Sequence, residues 1–257
     1  PKIYKLFKDS QSLDISKEPM EVAPTAHYSM GGLLVNSKNH QTNIVGLFAA
    51  GEVAGGLHGA NRLGGNSLAE ILVFGKIVGS EASKHCLKIN QLDKDINIIK
   101  EAKNNIERNI KKGNTSICEK IRELQSIMWQ YCGVKKNAEM LNLGLNKLHK
   151  IKNQLNDLNV NQDNYLIDLI NLFDLKASLI SAESTILSSL ERQETRGAHQ
   201  RSDYESEDNK FNCNIIIELN NKEFKVSQRK LKPLSKEMKE SLFNTKVINN
   251  FKNKLLE

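Results

Sequence analysis

The sequence lacks the features that define several large classes of protein. Its four cysteines form no C-x-x-C pair, so neither a zinc site nor a disulfide scaffold is predicted. No uninterrupted apolar run approaches the roughly 20 residues that are needed to span a bilayer. The formal net charge is only +7, and the lysines are scattered among asparagines instead of forming a basic patch interleaved with aromatic residues. We therefore expect no metal site, no nucleic-acid partner and a reducing compartment.

Glycine, by contrast, is concentrated in residues 51–65, where it occupies positions 51, 55, 56, 59, 64 and 65. The apolar run 44–50 precedes this stretch and predicts a buried strand. A helix is predicted after it, beginning at Asn66 and Ser67, which are favoured N-cap types, and continuing to about residue 85. A glycine-rich loop that ends at a helix N-terminus suits an anion or an electron-rich heterocycle, because the first N–H groups of a helix have no partner within it.

Glu52 and Arg62 are the only side chains in this loop that are ionised at neutral pH. A tight turn between packed elements would explain the glycines, but it would not explain an isolated carboxylate and an isolated guanidinium. We therefore interpret the stretch as a ligand-binding loop.

Three motifs of the chain together resemble one protein family. The loop motif reads AAGE at 49–52 and GLHGANRLGGNSLAE at 56–70, and PTAHYSMGG at 24–32 precedes it. A third motif, ETRGAHQRSDY, occupies 194–204. Their sequences, order and approximate spacing are similar to those of the flavoprotein subunits of succinate dehydrogenase and fumarate reductase. The resemblance covers about residues 21–204.

The resemblance implies a dicarboxylate site and a redox reaction. Succinate and fumarate would be interconverted by hydride transfer to or from flavin N5, with His27 and Arg62 binding the substrate carboxylates. The planar fork of an arginine suits this role because it can bind two carboxylate oxygens at once. His58 either lies beside the substrate or only holds the loop. Asn61 and Asn66 are further accessory candidates.

The resemblance also implies FAD as the cofactor. The carboxylate of Glu52 would accept hydrogen bonds from the adenosine ribose, and the backbone N–H groups of Ser67 and Leu68 would meet the pyrimidine edge of the flavin. A helix N-terminus at that edge stabilises the negative charge of a reduced flavin and so raises its potential.

The predicted fold class is α/β followed by α. Residues 1–20 are expected to be the tail of a capping domain, 21–85 the C-terminal segment of a Rossmann-like FAD-binding domain, 86–200 a three-helix bundle, and 201–257 a C-terminal hairpin and helix. The family's opening strand and G-x-G-x-x-G fingerprint do not occur, and the chain begins at Pro1. We therefore expect the C-terminal part of a longer flavoprotein, which by itself neither holds FAD tightly nor turns over.

Apolar periodicity predicts the packing of the bundle. Breaks near 113–115 and 159–164 divide it into three long helical segments. Three apolar stripes are predicted to form the core: Ile117, Ile121, Leu124, Met128 and Tyr131; Leu141, Leu145, Leu148, Ile151, Leu155 and Leu158; and Ile170, Phe173, Ala177, Ile180 and Leu187. Trp129 is interpreted as a further packing anchor.

Shorter elements are predicted on either side of the bundle. A strand is predicted at 33–36, and His40 in the polar turn 37–42 is expected to be solvated. Strands at 213–219 and 223–226 predict a hairpin. The remainder, 235–257, predicts either a basic surface helix or a frayed tail.

A charged cluster follows the last helical segment and comprises Glu194, Arg196, His199 and Arg201. One interpretation is a contact with the flavin domain or with an iron–sulfur subunit. The other is an intramolecular salt-bridge network that clamps the bundle, and we favour this second interpretation.

Two other functions remain open at the level of sequence. L-aspartate oxidase shares the histidine motif and much of the Arg62 loop, although Gly64-Gly65 and the motif at 196–201 favour a dehydrogenase or reductase. A non-catalytic helical interaction module is the other alternative, and the presence of both His27 and Arg62 argues against it. For a dehydrogenase or reductase, the resemblance implies that the partner is an iron–sulfur subunit, which in turn connects to a membrane anchor. The location would be cytoplasmic or peripheral on the inner face of the membrane.

Overall fold

The computed structural model describes residues 2–21, 27–89, 95–110, 112–160, 165–221, 223–231, 233–236 and 239–240. The chain divides into two compact units, Pro1–Ala82 and Ser83–Glu257. The described helices are α1 (Lys2–Gln11), α2 (Asn66–Lys88), α3 (Ile96–Asn109), α4 (Ile117–Tyr131), α5 (Ala138–Gln154) and α6 (Tyr165–Glu191). The strands are β1 (Thr115–Ser116), β2 (Lys135–Lys136), β3 (Leu158–Asn159), β4 (Gln200–Arg201), β5 (Cys213–Asn220) and β6 (Glu223–Lys230). The fold is therefore mixed α and β, as expected.

The first unit holds the glycine-rich loop between irregular segments and the helix α2. Two isolated bridges connect these segments, a parallel one between Leu33 and Ala54 and an antiparallel one between Gln41 and Phe48. The strand predicted at 33–36 is therefore wrong, because of these four residues only Leu33 takes part in a bridge.

The buried strand predicted at 44–50 is also wrong. Ile44 and Val45 are 60% and 80% exposed, and they lie in a turn in which Leu47 N–H donates to the Ile44 carbonyl over 3.1 Å. Gly46 adopts φ 84°, a conformation that side-chain-bearing residues rarely adopt, and it bends the run before a strand can form.

Helix α2 is confirmed. It begins at Asn66, the predicted N-terminal position, and continues to Lys88, three residues beyond the predicted end. The first turn of the helix therefore follows directly on the glycine-rich loop, and its N–H groups have no partner within the helix.

The second unit is built on α4, α5 and α6, each of which packs against the other two. The predicted stripes on α4 and α5 are confirmed as buried or partly buried core positions. The stripe predicted for α6 is wrong, because Ile170, Phe173 and Ile180 are 59%, 39% and 45% exposed. The buried face of α6 is instead formed by Leu172, Leu175, Leu179, Ala182 and Ile186. Trp129 is not a packing anchor, because it is 70% exposed.

The bundle contains a break that was not predicted from the sequence. Residues 132–137 separate α4 from α5, and β2 within this connection pairs in parallel with β4. The Asn137 side chain caps α5 by accepting the Met140 N–H over 2.8 Å. The three helices of the bundle are therefore α4, α5 and α6, with α3 preceding them.

The predicted hairpin is confirmed in the second unit. Strands β5 and β6 pair antiparallel from Cys213 opposite Lys230 to Asn220 opposite Glu223, and both strands contact α6. Most of the predicted C-terminal element 235–257 lies outside the described residues, as does the 24–26 part of the histidine motif.

Gly144 on α5 provides a test of the close approach between α5 and α4. A Cβ at Gly144 would lie 2.8 Å from the Cβ of Tyr131, closer than packed atoms allow. Alanine is normally favoured over glycine in a helix by about 1 kcal/mol. We nevertheless expect Gly144→Ala to lower the free energy of unfolding by about 1 kcal/mol, because overpacking costs about 1–3 kcal/mol. Urea denaturation followed by circular dichroism measures this change.

Asn146→Ala is the matched control, because Asn146 is exposed on the same helix. The higher helix propensity of alanine should raise stability there by up to about 0.7 kcal/mol. A Gly144→Ala variant at least as stable as Asn146→Ala would contradict the close helix–helix packing.

Candidate active site

The backbone of the histidine motif lies directly against the glycine-rich loop. Leu33 N–H donates to the Val53 carbonyl over 2.7 Å, and Gly55 N–H donates to the Leu33 carbonyl over 2.9 Å. Gly32 has φ 129°, and a Cβ there would clash with the Val53 carbonyl. Glycine at this position therefore allows two chain segments, which carry different predicted site residues, to approach each other.

A buried carboxylate, Glu70, organises the side chains around this contact. Glu70 lies in the first turns of α2 and is 3% exposed. Its Oε2 accepts the Tyr28 hydroxyl over 2.7 Å and lies 2.9 Å from Nε2 of His58. His58 therefore ties the glycine-rich loop to α2, and Tyr28 ties the histidine motif to the same helix.

The pKa values of this group show that the carboxylate form is stabilised. Burial raises the pKa of Glu70, but hydrogen bonds from Tyr28 and His58 outweigh burial and hold that pKa below its usual value. Burial, followed by the hydrogen bond to Glu70, raises the pKa of Tyr28 to about 12. Glu70 is therefore ionised and Tyr28 is a neutral hydrogen-bond donor at physiological pH.

Arg62 lies over the aromatic ring of Tyr28. The guanidinium carbon is 4.6 Å from the ring centroid, a cation–π distance. One terminal nitrogen donates to the Leu63 carbonyl over 3.1 Å. The Nε atom is buried and has no hydrogen-bond partner among the described residues. A buried guanidinium N–H without a partner is costly, so an anionic acceptor at this position would stabilise it.

His27 precedes Tyr28 in the chain and is exposed. The structure thus brings the neighbourhood of His27 together with Arg62 through the tyrosine between them. Glu52 is also exposed, and its Oε1 accepts the Ser29 N–H over 2.8 Å, which links the glycine-rich loop to the histidine motif a second time.

The N-terminus of α2 lies at the end of the same loop. Gly65 adopts φ 82° immediately before the helix, and Asn66 N–H donates to the Leu63 carbonyl over 3.2 Å. Leu68 is 66% exposed, and Ser67 is partly buried. The accessory candidates Asn61 and Asn66 are both exposed.

Two residues of this region were not recognised from the sequence. Tyr28 and Glu70 occur within the quoted motifs, but their partners are far away in the chain. The one local signal is a carboxylate in the otherwise apolar stretch 68–74 of the helix. The expectation that His40 is solvated is wrong, because it is 7% exposed, its Nδ1 lies 3.0 Å from the Ala49 carbonyl, and it stacks on Phe74 at 4.3 Å.

The second charged cluster is an intramolecular network, as favoured above. Glu194 is fully buried, and its carboxylate accepts hydrogen bonds from Arg192, Arg196 and the Asp208 N–H. Burial alone raises the pKa of Glu194, but these hydrogen bonds lower it to about 2. Arg201 is 2% exposed.

The partners of Arg201 and His199 complete this network. Arg201 binds the Asp203 carboxylate through two nitrogens at 2.7 Å, and a third nitrogen binds the Ser189 carbonyl. The ring of His199 bonds the Arg192 carbonyl over 3.1 Å, and burial lowers the pKa of His199. The network therefore connects the end of α6 to the segment that follows it.

Two properties of the described residues bear on ligands and location. No group of three or more His, Cys, Asp or Glu side chains is arranged to hold a metal ion in the part of the chain that the structure describes. Within the same ranges, each helix is too short or too polar to cross a membrane.

Comparison with known proteins gives matches along most of the chain. Residues 1–68 match the model of an FAD-binding domain, and residues 121–246 match that of the fumarate reductase flavoprotein C-terminal region. An uncharacterised FAD-dependent oxidoreductase of Methanocaldococcus jannaschii is 42% identical over 207 residues, which cover 80% of this chain and 37% of the relative. One component of the CoM/CoB fumarate reductase of Methanothermobacter marburgensis is 37% identical over 193 residues, with coverage of 75% and 35%.

A solved structure of an Escherichia coli quinol fumarate reductase flavoprotein variant has the same fold. The TM-score is 0.81 at 30% sequence identity, and the alignment covers 91% of this chain and 42% of the other. The chain thus spans little more than a third of the length of the two relatives.

Proposed function

Since this chain belongs to the family of succinate dehydrogenase and fumarate reductase flavoproteins, we propose that it contributes the dicarboxylate-binding residues of an enzyme that interconverts succinate and fumarate. Its relatives are FAD-dependent oxidoreductases, and FAD is the cofactor that the family match indicates. The observation that carries the proposal is Arg62, whose buried Nε lacks a partner among the described residues and whose guanidinium lies over the residue next to His27. This is a cationic donor prepared for a carboxylate.

The residues at the start of α2 fit the proposed cofactor. The helix has 23 residues, so its N-terminus carries a full dipole, and the N–H groups of Ser67 and Leu68 are among the first of the helix. Those groups would donate to the flavin pyrimidine edge, and the exposed Glu52 carboxylate would accept from a ribose hydroxyl. When bound, FAD supplies the site at which a hydride is accepted or donated.

The role of the chain's own side chains follows from their charge and shape. Arg62 would bind one substrate carboxylate through two nitrogens and stabilise the negative charge that develops on it during reaction. His27 would donate a hydrogen bond to the other carboxylate. His58, tied to Glu70, would hold the loop that carries Arg62.

We further propose that the protein acts with an iron–sulfur subunit, and through it with a membrane anchor. This proposal follows from the family resemblance. The protein would then be a peripheral subunit on the inner face of a membrane.

The activity is tested on the protein expressed from the complete coding sequence. We expect bound flavin in the purified protein, reduction of fumarate by a reduced dye, and oxidation of succinate by an oxidised dye. The 257-residue chain alone should bind flavin weakly and show no turnover. L-aspartate oxidation with oxygen or fumarate as acceptor, without succinate oxidation, would replace the proposal by an L-aspartate oxidase. A flavin-free protein without turnover would point to a non-catalytic module.

A further inference from the structure

We propose that Glu70 is a positioning residue for the dicarboxylate site, because it holds the Tyr28 ring on which the Arg62 guanidinium rests. This inference deepens the proposed function and rests on Arg62 binding a substrate carboxylate. It assigns to Glu70 an indirect role, since its own contacts are to Tyr28 and His58.

The contacts of Arg62 show why its position depends on Tyr28. The guanidinium donates a hydrogen bond to the carbonyl of the adjacent residue, Leu63, and its Nε has no partner in the described part of the chain. A bond to the neighbouring residue does not fix the side chain relative to the rest of the site. The ring of Tyr28, at 4.6 Å, belongs to a different chain segment and supplies that reference.

The Tyr28 ring is fixed in turn by groups that are anchored on α2. Its hydroxyl donates to Glu70 over 2.7 Å, and its edge meets the His58 ring at 5.4 Å with an interplanar angle of 83°. The Glu70 side chain is 1% exposed, so the bonds of its Oε2 are shielded from water. Because a helix is more rigid than a loop, Glu70 sets the position of Tyr28, and of the adjacent His27, relative to Arg62.

The negative charge of Glu70 and its positioning role are expected to change substrate affinity in opposite directions. Substitutions at Glu70 can therefore separate the two effects. A negative carboxylate near a dianionic substrate weakens binding by simple repulsion. If only this charge mattered, every neutral replacement would tighten binding. If position matters, Glu70→Ala weakens binding, whereas Glu70→Gln, which keeps an acceptor oxygen of similar reach, binds at least as well as the unchanged protein.

The test is a double-mutant cycle in the protein expressed from the complete coding sequence. The fumarate Kd is measured by calorimetry and, in parallel, KM and kcat are measured. We expect Glu70→Ala and Tyr28→Leu each to weaken fumarate binding about tenfold, and Glu70→Gln to bind fumarate as tightly as the unchanged protein or up to about threefold more tightly. The double variant Tyr28→Leu with Glu70→Ala should bind no more weakly than Tyr28→Leu alone, because both changes remove one chain of contacts.

Controls separate positioning from folding and from the proposed function. Glu139→Gln, at an exposed carboxylate on α5, should leave the Kd unchanged, and flavin content should be the same in all variants. If Glu70→Ala does not fold, Tyr28→Leu alone tests the inference. A fumarate Kd of Tyr28→Leu within about twofold of that of the unchanged protein overturns it. Additive effects in the cycle, or tighter binding by Glu70→Ala, also overturn it. An unchanged protein that neither binds nor converts fumarate refutes the proposed function itself, and the inference with it.

Discussion

Replacing Arg62 with alanine in the protein expressed from the complete coding sequence should lower kcat/KM for fumarate by at least about a hundredfold, or about 2.7 kcal/mol of transition-state stabilisation. The buried Nε, which has no partner among the described residues, and the cation–π contact with Tyr28 indicate a guanidinium that is held ready for a carboxylate. Removing the Arg62 side chain takes away the two hydrogen bonds that we propose for one substrate carboxylate, together with a full positive charge. Steady-state kinetics with fumarate and with succinate measure the loss.

Two further substitutions serve as comparisons for Arg62→Ala. Arg62→Lys keeps the charge but loses the planar fork, so it should recover only part of the activity. Arg122→Ala, at an exposed arginine on α4, should leave kcat/KM within about twofold. Less than a tenfold loss for Arg62→Ala would rule out its role in binding the substrate carboxylate.

Replacing Glu194 with alanine should lower the free energy of unfolding by about 3–5 kcal/mol. Glu194 is fully buried between Arg192 and Arg196, and its removal leaves two guanidinium groups without their shared carboxylate. The Asp208 N–H also loses its acceptor. Chemical denaturation followed by circular dichroism measures this loss.

Glu207→Ala is the matched control because Glu207 pairs with the same Arg196 over 3.2 Å but is 64% exposed. Exposed ion pairs contribute at most about 1 kcal/mol. Equal destabilisation by the two substitutions would mean that burial does not decide the strength of this network.

The carboxylate of Glu194 also makes the free energy of unfolding depend on pH in a defined direction. Hydrogen bonds outweigh burial and lower the pKa of Glu194 from 4.5 to about 2 in the folded chain. The resulting stabilisation, about 3 kcal/mol, is present above pH 4.5 and is lost as the pH falls toward 2. The difference in unfolding free energy between the unchanged protein and Glu194→Gln should therefore shrink over that range. A difference independent of pH would contradict the lowered pKa.

Structural features that depend on residues close together in the sequence were predictable. The start of α2 at Asn66 was predicted from two N-cap residue types after a glycine-rich loop, and the β5–β6 hairpin follows from two apolar strands around a polar turn. The buried stripes of α4 and α5 follow from spacings of three and four. The connection at 132–137 was missed even though Gly133 and Asn137 are ordinary signals for a helix end and a helix start.

Helix α6 shows where periodicity fails. Its sequence is apolar on more than one face, so the stripe through Ile170 and Phe173 and the stripe through Leu172 and Leu175 fit a helix equally well. Only packing against α4 and α5 selects the second stripe, because one face alone can fill the space between those helices.

The sequence by itself determined the family, the cofactor class, the glycine-rich loop and the two candidate substrate-binding residues His27 and Arg62, since these depend on which residues stand near one another in the chain. Only the tertiary structure decided that Glu70 joins Tyr28, 42 residues before it, to His58, 12 residues before it, and so supports the surface beneath Arg62. The physical reason is that a buried carboxylate is stable only where folding has brought donors to it, and the sequence pattern does not encode those distant partners.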